Sequence, residues 1–346
     1  MKSPLIRLPY ISDAPLQVMI NRNKVAESVH EVDIALCDAD GGIILGMGDY
    51  EAEIFPRSAM KPLQAIALIE WLASADNQPE LAPAEMALIC ASHNGEPAHS
   101  EAVVRLLEKF EIAPDALICG AHWSLDQESL IEQVRALDAP DKTHNNCSGK
   151  HAGMLVLAKL MTGSGKDYAE ITHAAQQRIL GVLEFMTGAD LLANITAIDG
   201  CGAPVYRAPL GNWARAFALF AGGGEMPASR RLACEKLRHS IAANPYLIAG
   251  KNRACSAINA AYGEAITVKV GAEGVYSAAF HDLNLGLMLK VRDGSRRAAE
   301  IAVGAVIKSL GYEIDASLKQ YLSPDLRNWA GVKVGDVTLG DFPISI

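Results

Sequence analysis

Apolar and polar positions change their spacing along the chain, and the changes divide it into strands and helices. Residues 17–19 and 32–37 are short apolar runs bounded by polar positions and read as strands. Asp38-Ala39-Asp40-Gly41-Gly42 has turn chemistry, and residues 43–45 form the return strand, so an antiparallel meander opens the fold. Past residue 60 the spacing becomes helical: Leu63, Ala65, Ile66, Leu68 and Ile69 follow the turn Pro56-Arg57-Ser58-Ala59-Met60-Lys61-Pro62. A polar, proline-bearing loop is expected at residues 77–83, then a buried helix or strand at 84–91. Val103, Leu106, Leu107 and Phe110 share one side of an amphipathic helix over 99–110. Helical patterns recur at 127–137, 154–161, 170–187, 211–221 and 228–243. Strand patterns return at 266–270, 275–280 and 285–291, and a helix is expected at 297–310.

Strands at both ends with helices between them predict an α/β chain: an antiparallel sheet built from the N- and C-terminal parts, with a central helical lobe. We expect one unit over 1–346, with a sheet lobe near 15–60 and 262–346 and a helical lobe near 61–261. Half the residues are hydrophobic and 21% are charged, enough apolar material for a sizeable core. A net charge of -9 argues against a surface that tracks nucleic-acid phosphates. Residues 1–14 contain no continuous apolar segment, and nowhere do 18 apolar residues run unbroken, so no membrane span and a cytoplasmic address are expected. The seven cysteines are odd in number and widely spaced, which points to free thiols or a metal site rather than a disulfide framework.

The candidate chemistry begins at Ser58. A serine three residues before Lys61 puts hydroxyl and amine on one helix face, as a nucleophile needs of its base. Ser92-His93-Asn94 has the form Ser-x-Asn and Lys269-Val270-Gly271 the form Lys-x-Gly, the second and third shapes of the penicillin-binding and serine β-lactamase set. Lys333-Val334-Gly335 also fits the third shape. Lys269 is preferred because it leads into Gly271-Ala272-Glu273-Gly274, a sharp turn between two apolar segments. Ser92 has an alternative role as a turn or cap hydroxyl.

Two more stretches are rich in small and polar residues, His144-Asn145-Asn146-Cys147-Ser148-Gly149-Lys150-His151-Ala152-Gly153 and Asp199-Gly200-Cys201-Gly202-Ala203-Pro204. Their glycines and alanine allow close approach of backbone or ligand. Cys147 and Cys201 are candidates to share a metal, with Lys150 or His151 one turn from Cys147 and Asp199 or His144 as further donors.

Taken together, Arg57 to Pro62, Cys90 to Gly95, Asn146 to His151, Asp199 to Pro204 and Lys269 to Gly274 resemble the rhizobial-type (class 3) L-asparaginase family over most of the chain. The resemblance implies a fold like that of penicillin-binding proteins and serine β-lactamases, a homodimer, and hydrolysis of L-asparagine to L-aspartate and ammonia. It further implies two Ser-Lys pairs, Ser58 with Lys61 and Ser92 with Lys269, and zinc held by Cys147, Lys150 and Cys201 with water. An amino-acid substrate also needs partners for its charged ends. Arg57 is the candidate for the α-carboxylate and Asp199 for the α-ammonium, with His93, Asn94 and His151 lining the pocket. Zinc is expected to organise the substrate side rather than to activate a nucleophile. The competing expectations are a glutaminase or β-lactamase-like serine amidohydrolase, and a non-catalytic zinc or amino-acid binding protein.

Overall fold

A computed structural model of the chain describes residues 4–75, 78–193, 196–340 and 342. Asn77, at the head of the expected 77–83 loop, lies outside the described residues. The chain divides into two compact units. The first comprises Met1–Ala59, Ala208–Gly224 and Val268–Ile346; the second comprises Met60–Arg207 and Glu225–Thr267.

The first unit is built on a sheet that is nine-stranded among the described residues. Its strand order is Leu326–Arg327, Lys333–Gly340, Leu16–Arg22, Val25–Cys37, Leu285–Val291, Val275–Phe280 and Ile266–Val270, with two further strands off this path. N-terminal and C-terminal strands meet where Val25–Cys37 pairs antiparallel with Leu285–Val291, placing Leu36 opposite Leu287 and Ile34 opposite Leu289. All four are fully buried, because alternate side chains of adjacent strands line one face. Off the path, Tyr10–Ser12 runs parallel to Ile43–Met47, the one departure from antiparallel pairing among the described registers. The helix Leu210–Ala221 belongs to this unit and buries Trp213, Phe217 and Phe220. It lies so close to Leu285–Val291 that a Cβ on Gly286 would fall 2.1 Å from Ala214 O.

The second unit is mostly helical. Helices Lys61–Ser74, Pro83–Ile89, Pro97–Lys109, Ser148–Thr162, Ala174–Thr187 and Ala228–Ala243 pack on one another. The stretch at 84–91, open between helix and strand on pattern alone, is helix Pro83–Ile89. The glycines after Cys147 do not precede a helix but lie inside it: Ser148–Thr162 is helical from Ser148. Close packing explains the small residues, since a Cβ on Gly149 would sit 2.3 Å from Leu88 O and one on Gly153 would sit 3.0 Å from Ile89 Cγ2. Glu70 closes the far side of this unit, accepting Arg230 Nε at 2.9 Å from a position near Arg178. Among the described residues no helix is long and apolar enough to cross a membrane.

Candidate active site

The turn that carries Ser58 belongs to the sheet unit. Arg57–Met60 is a 3-10 turn leading into helix Lys61–Ser74, with proline in the helix's first turn, where a missing N–H costs nothing. Arg57 has φ +50°, a left-handed conformation that a non-glycine residue adopts at an energetic cost. Within the same unit, Ser277 Oγ lies 3.1 Å from Lys269 O and 3.3 Å from Ala59 O, tying the turn to the strand Ile266–Val270. Gly271 completes this join, because a Cβ there would meet Pro56 O at 2.6 Å. Lys269 is 1% exposed and its Nζ donates to Val270 O at 2.8 Å. Lys333, the other Lys-x-Gly lysine, stands toward the opposite end of the sheet order and pairs with Asp325 at 2.6 Å.

The helical unit gathers most of the remaining candidates. Lys61 opens its helix at 1% exposure, and Nζ donates to Ala91 O at 2.6 Å, Ser92 Oγ at 2.8 Å and Cys147 Sγ at 3.1 Å. The segment around Ser92 is fixed by main-chain bonds on both sides: Ser92 N to Ile248 O, His93 N to Asn146 O and Asn94 N to Ala249 O, at 2.9 to 3.1 Å. Gly95 turns the chain at φ +70°, with no space for a Cβ against His144 O.

His93 shows which of its nitrogens carries the proton. Gly95 N–H donates to Nδ1 at 3.1 Å, so Nε2 is protonated and donates to Ser148 Oγ at 3.0 Å, while that hydroxyl donates to Thr143 O. Burial, reinforced by His99, Lys61, His122 and Arg253, holds His93 well below the usual imidazole range, so it stays neutral. Asn94 is oriented just as fully: Nδ2 donates to Glu96 Oε1 and Lys251 O, both at 3.0 Å, and Oδ1 accepts Arg253 Nη1 at 2.7 Å. His151 Nδ1 lies 2.7 Å from Tyr168 OH, and burial followed by Lys150 and Lys61 pushes the ring down as well.

Cys147, Lys150 and Cys201 form one buried cluster in this unit. The hairpin of Thr196–Ile198 and Pro204–Tyr206 presents the loop of Asp199 and Cys201. Lys150 Nζ donates to Cys201 Sγ at 2.8 Å, and Cys201 Sγ lies 3.7 Å from Asp199 Oδ2. The two thiols shift in opposite directions. Cys147 is driven well below its ordinary value by the hydrogen bond from Cys201, against burial and with help from Lys61 and Lys150; that same bond, with burial, drives Cys201 up. Burial would depress the Lys150 ammonium, but Cys201, Cys147 and Asp199 hold it above its ordinary value.

Two buried sulfurs and one buried amine are donors of the kind zinc takes. No group of three or more His, Cys, Asp or Glu side chains that could hold a metal ion is present among the described residues. His151, the alternative one-turn donor, pairs Nδ1 with Tyr168 OH at 2.7 Å and leaves Nε2 buried without a hydrogen-bond partner.

Sequence patterns missed the residues that hold this site from behind. Glu96 is 3% exposed and accepts Asn94, Ser129 Oγ, the Tyr246 hydroxyl and Lys251 N–H. His99 stacks between His93 and Tyr246, with ring centroids 4.7 and 4.9 Å apart. Glu96 follows the Ser92 motif directly and offered a local signal; Tyr246 and Arg253 are about 150 residues distant and offered none.

A family model described as L-asparaginase II matches residues 18–339. The chain belongs to the L-asparaginase II family, a family of amidohydrolases. No curated protein matches it. Among solved structures, Mglu in its native form is similar at 14% identity over 82% of this chain, with a TM-score of 0.43, and the chain spans only 65% of the Mglu chain's length. A putative beta-lactamase from Bacteroides dorei is similar at 11% identity, over 81% of this chain and 85% of that one, with a TM-score of 0.38. A beta-lactamase from Mycobacterium bovis is similar at 14% identity, over 81% and 95%, with a TM-score of 0.40. These distant likenesses bear on no step of the chemistry.

Proposed function

We propose that this member of the L-asparaginase II family hydrolyses L-asparagine to L-aspartate and ammonia through an acyl-enzyme on Ser58. The observation that carries the reading is Lys61: a buried lysine three residues after Ser58, with its Nζ 2.8 Å from the hydroxyl of Ser92. A binding protein has no use for an amine so placed; acyl transfer needs one to move protons.

In this reading Ser58 Oγ attacks the side-chain amide carbon while Lys61 takes the hydroxyl proton. Ser92 passes its proton to the departing nitrogen and is reprotonated by Lys61, the C–N bond breaks, and ammonia leaves a β-aspartyl ester on Ser58. Water then adds to the ester, giving up a proton by the same route, and aspartate is released. Lys269 keeps the role of second site lysine, the partner that the family resemblance assigns to Ser92. Arg57 takes the substrate's α-carboxylate and Asp199 its α-ammonium, with neutral His93 and His151 and the fixed amide of Asn94 as polar wall. Cys147, Lys150 and Cys201 would hold zinc. When bound it would order the substrate side of the site, since a serine nucleophile leaves no need for metal-activated water.

The test is ammonia release from L-asparagine and L-glutamine by the intact protein and by Ser58→Ala and Lys61→Ala. Release from asparagine that falls about 10²–10⁴-fold or more in both variants is expected. No release by the wild-type protein, or full turnover in Ser58→Ala, would overturn the reading. Glutamine is one methylene longer, a difference of about 1–3 kcal/mol in a pocket, so some glutaminase activity is compatible with it.

A further inference from the structure

Gln64 lies one turn after Lys61 in helix Lys61–Ser74. It is 4% exposed, yet neither Nε2 nor Oε1 has a hydrogen-bond partner. A primary amide carries two donors and a two-lone-pair acceptor, and proteins seldom bury one with all of these unmet. Gln64 borders a small, partly enclosed space of about 20 Å³ whose wall is otherwise apolar except for Lys150. Such a volume accommodates one water molecule, provided that at least two polar partners line it. The Gln64 amide and Lys150 meet that condition.

We propose that this cavity is a binding site for one buried water, held by the Gln64 amide and shared with the Lys150 amine, and that Gln64 is thereby a positioning residue for Lys150. Lys150 Nζ donates to Cys201 Sγ at 2.8 Å, and its remaining N–H groups need acceptors inside the protein. The requirement persists when the amine is neutral, as it must be to donate its lone pair to a metal. Two N–H groups then remain, and an oxygen set by Gln64 fixes the rotation of the amine about its last bond. The outer partners of metal ligands act in this way, and their loss typically weakens metal binding about 10–100-fold. The water site stands on the cavity and the unpaired amide alone; the positioning role rests on the zinc reading given above.

The experiment has three arms on the full-length protein. A high-resolution crystal structure is expected to show one density peak within hydrogen-bond distance of both the Gln64 amide and Lys150 Nζ; an empty cavity would overturn the water site. Gln64→Leu keeps the volume and removes every polar atom. In metal-free protein its melting temperature is expected to fall, because a satisfied network is lost, whereas a rise would mean that Gln64 stood unpaired in a dry void. Zinc affinity by chelator competition is expected to drop about 10-fold or more in Gln64→Leu. Unchanged affinity in a well-folded variant would overturn the positioning role. Failure of the wild-type protein to bind zinc would count against the zinc reading, while the first two arms still decide the water site. Should Gln64→Leu not fold, the wild-type density decides the site.

Discussion

Replacing Gly149 with alanine should damage this site without touching any of its polar groups. The added Cβ would lie 2.3 Å from Leu88 O, where ordinary contact begins near 3.4 Å, so the backbones must separate by about 1 Å. Neither can yield easily. The Leu88 carbonyl accepts the N–H of Ala91 at 3.0 Å, and Ala91 leads directly to Ser92. Gly149 itself lies between Cys147 and Lys150 in the first turn of Ser148–Thr162. Moving one against the other stretches the Lys61 Nζ contacts to Ser92 and Cys147, which are 2.8 and 3.1 Å long. Overpacking of this kind costs about 1–3 kcal/mol. The better helix propensity of alanine returns about 1 kcal/mol, leaving a net loss of about 0–2 kcal/mol in stability. A displacement of about 1 Å at reacting groups lowers turnover by up to about 10²-fold.

Gly181 is the control. It lies exposed in the middle of helix Ala174–Thr187, with open space where a Cβ would go. Gly181→Ala should therefore stabilise by about 0.5–1 kcal/mol and leave turnover unchanged. Urea unfolding and steady-state ammonia release on both variants make the comparison. If Gly149→Ala is as stable and as active as Gly181→Ala, close backbone approach is not what places Lys150 and Ser92, and the reasoning is refuted.

Acid should destabilise the helical unit before its carboxylates titrate. His99 is depressed to about 4, chiefly by burial, and His93 and His151 are lowered for the same first reason. The unfolded chain takes up protons on these rings below about 6.5 and the folded chain does not. Stability is therefore full above about 6.5 and is lost as pH falls toward about 4, by about 2–3 kcal/mol for His99 alone. Unfolding midpoints measured across that window should slope accordingly and should flatten in His99→Phe, which keeps the stacking; an unchanged slope would remove His99 from the account. Zinc binding, by contrast, should tighten as pH rises. The Cys201 thiol is held protonated by its bond to Cys147 and by burial, and Lys150 keeps its proton through the nearby sulfurs despite burial. Both protons must leave before these groups can bind a metal. Chelator competition at about pH 6 and about pH 8 should differ by 10-fold or more, and equal affinities would exclude Lys150 and Cys201 as the donors.

Local pattern carried far into this fold. The strands at 266–270, 275–280 and 285–291 occupy Ile266–Val270, Val275–Phe280 and Leu285–Val291 because turn residues bound each apolar run. The helices at 211–221 and 228–243 follow from equally regular spacing. Pattern failed where long-range packing overrode it. Gly149 and Gly153 stand ahead of the helix expected at 154–161, yet lie inside Ser148–Thr162, where Leu88 and Ile89 leave no room for larger side chains. The short strands Thr196–Ile198 and Pro204–Tyr206 are too brief for any period to show.

The sequence by itself determined which residue types could do chemistry: a serine with a lysine three places on, a second serine in Ser-x-Asn, two cysteines close to glycines. These are covalent neighbours, and the helix period turns such spacing into shared faces. Tertiary structure alone decided that Lys61 pairs with Ser92 and Cys147, that Lys150 meets Cys201 across 51 residues, and that Glu96 orients Asn94. Those contacts depend on how helices stack and on which groups stacking deprives of water. Hydrogen bonds and shifted protonation then follow from that loss of solvent rather than from order along the chain.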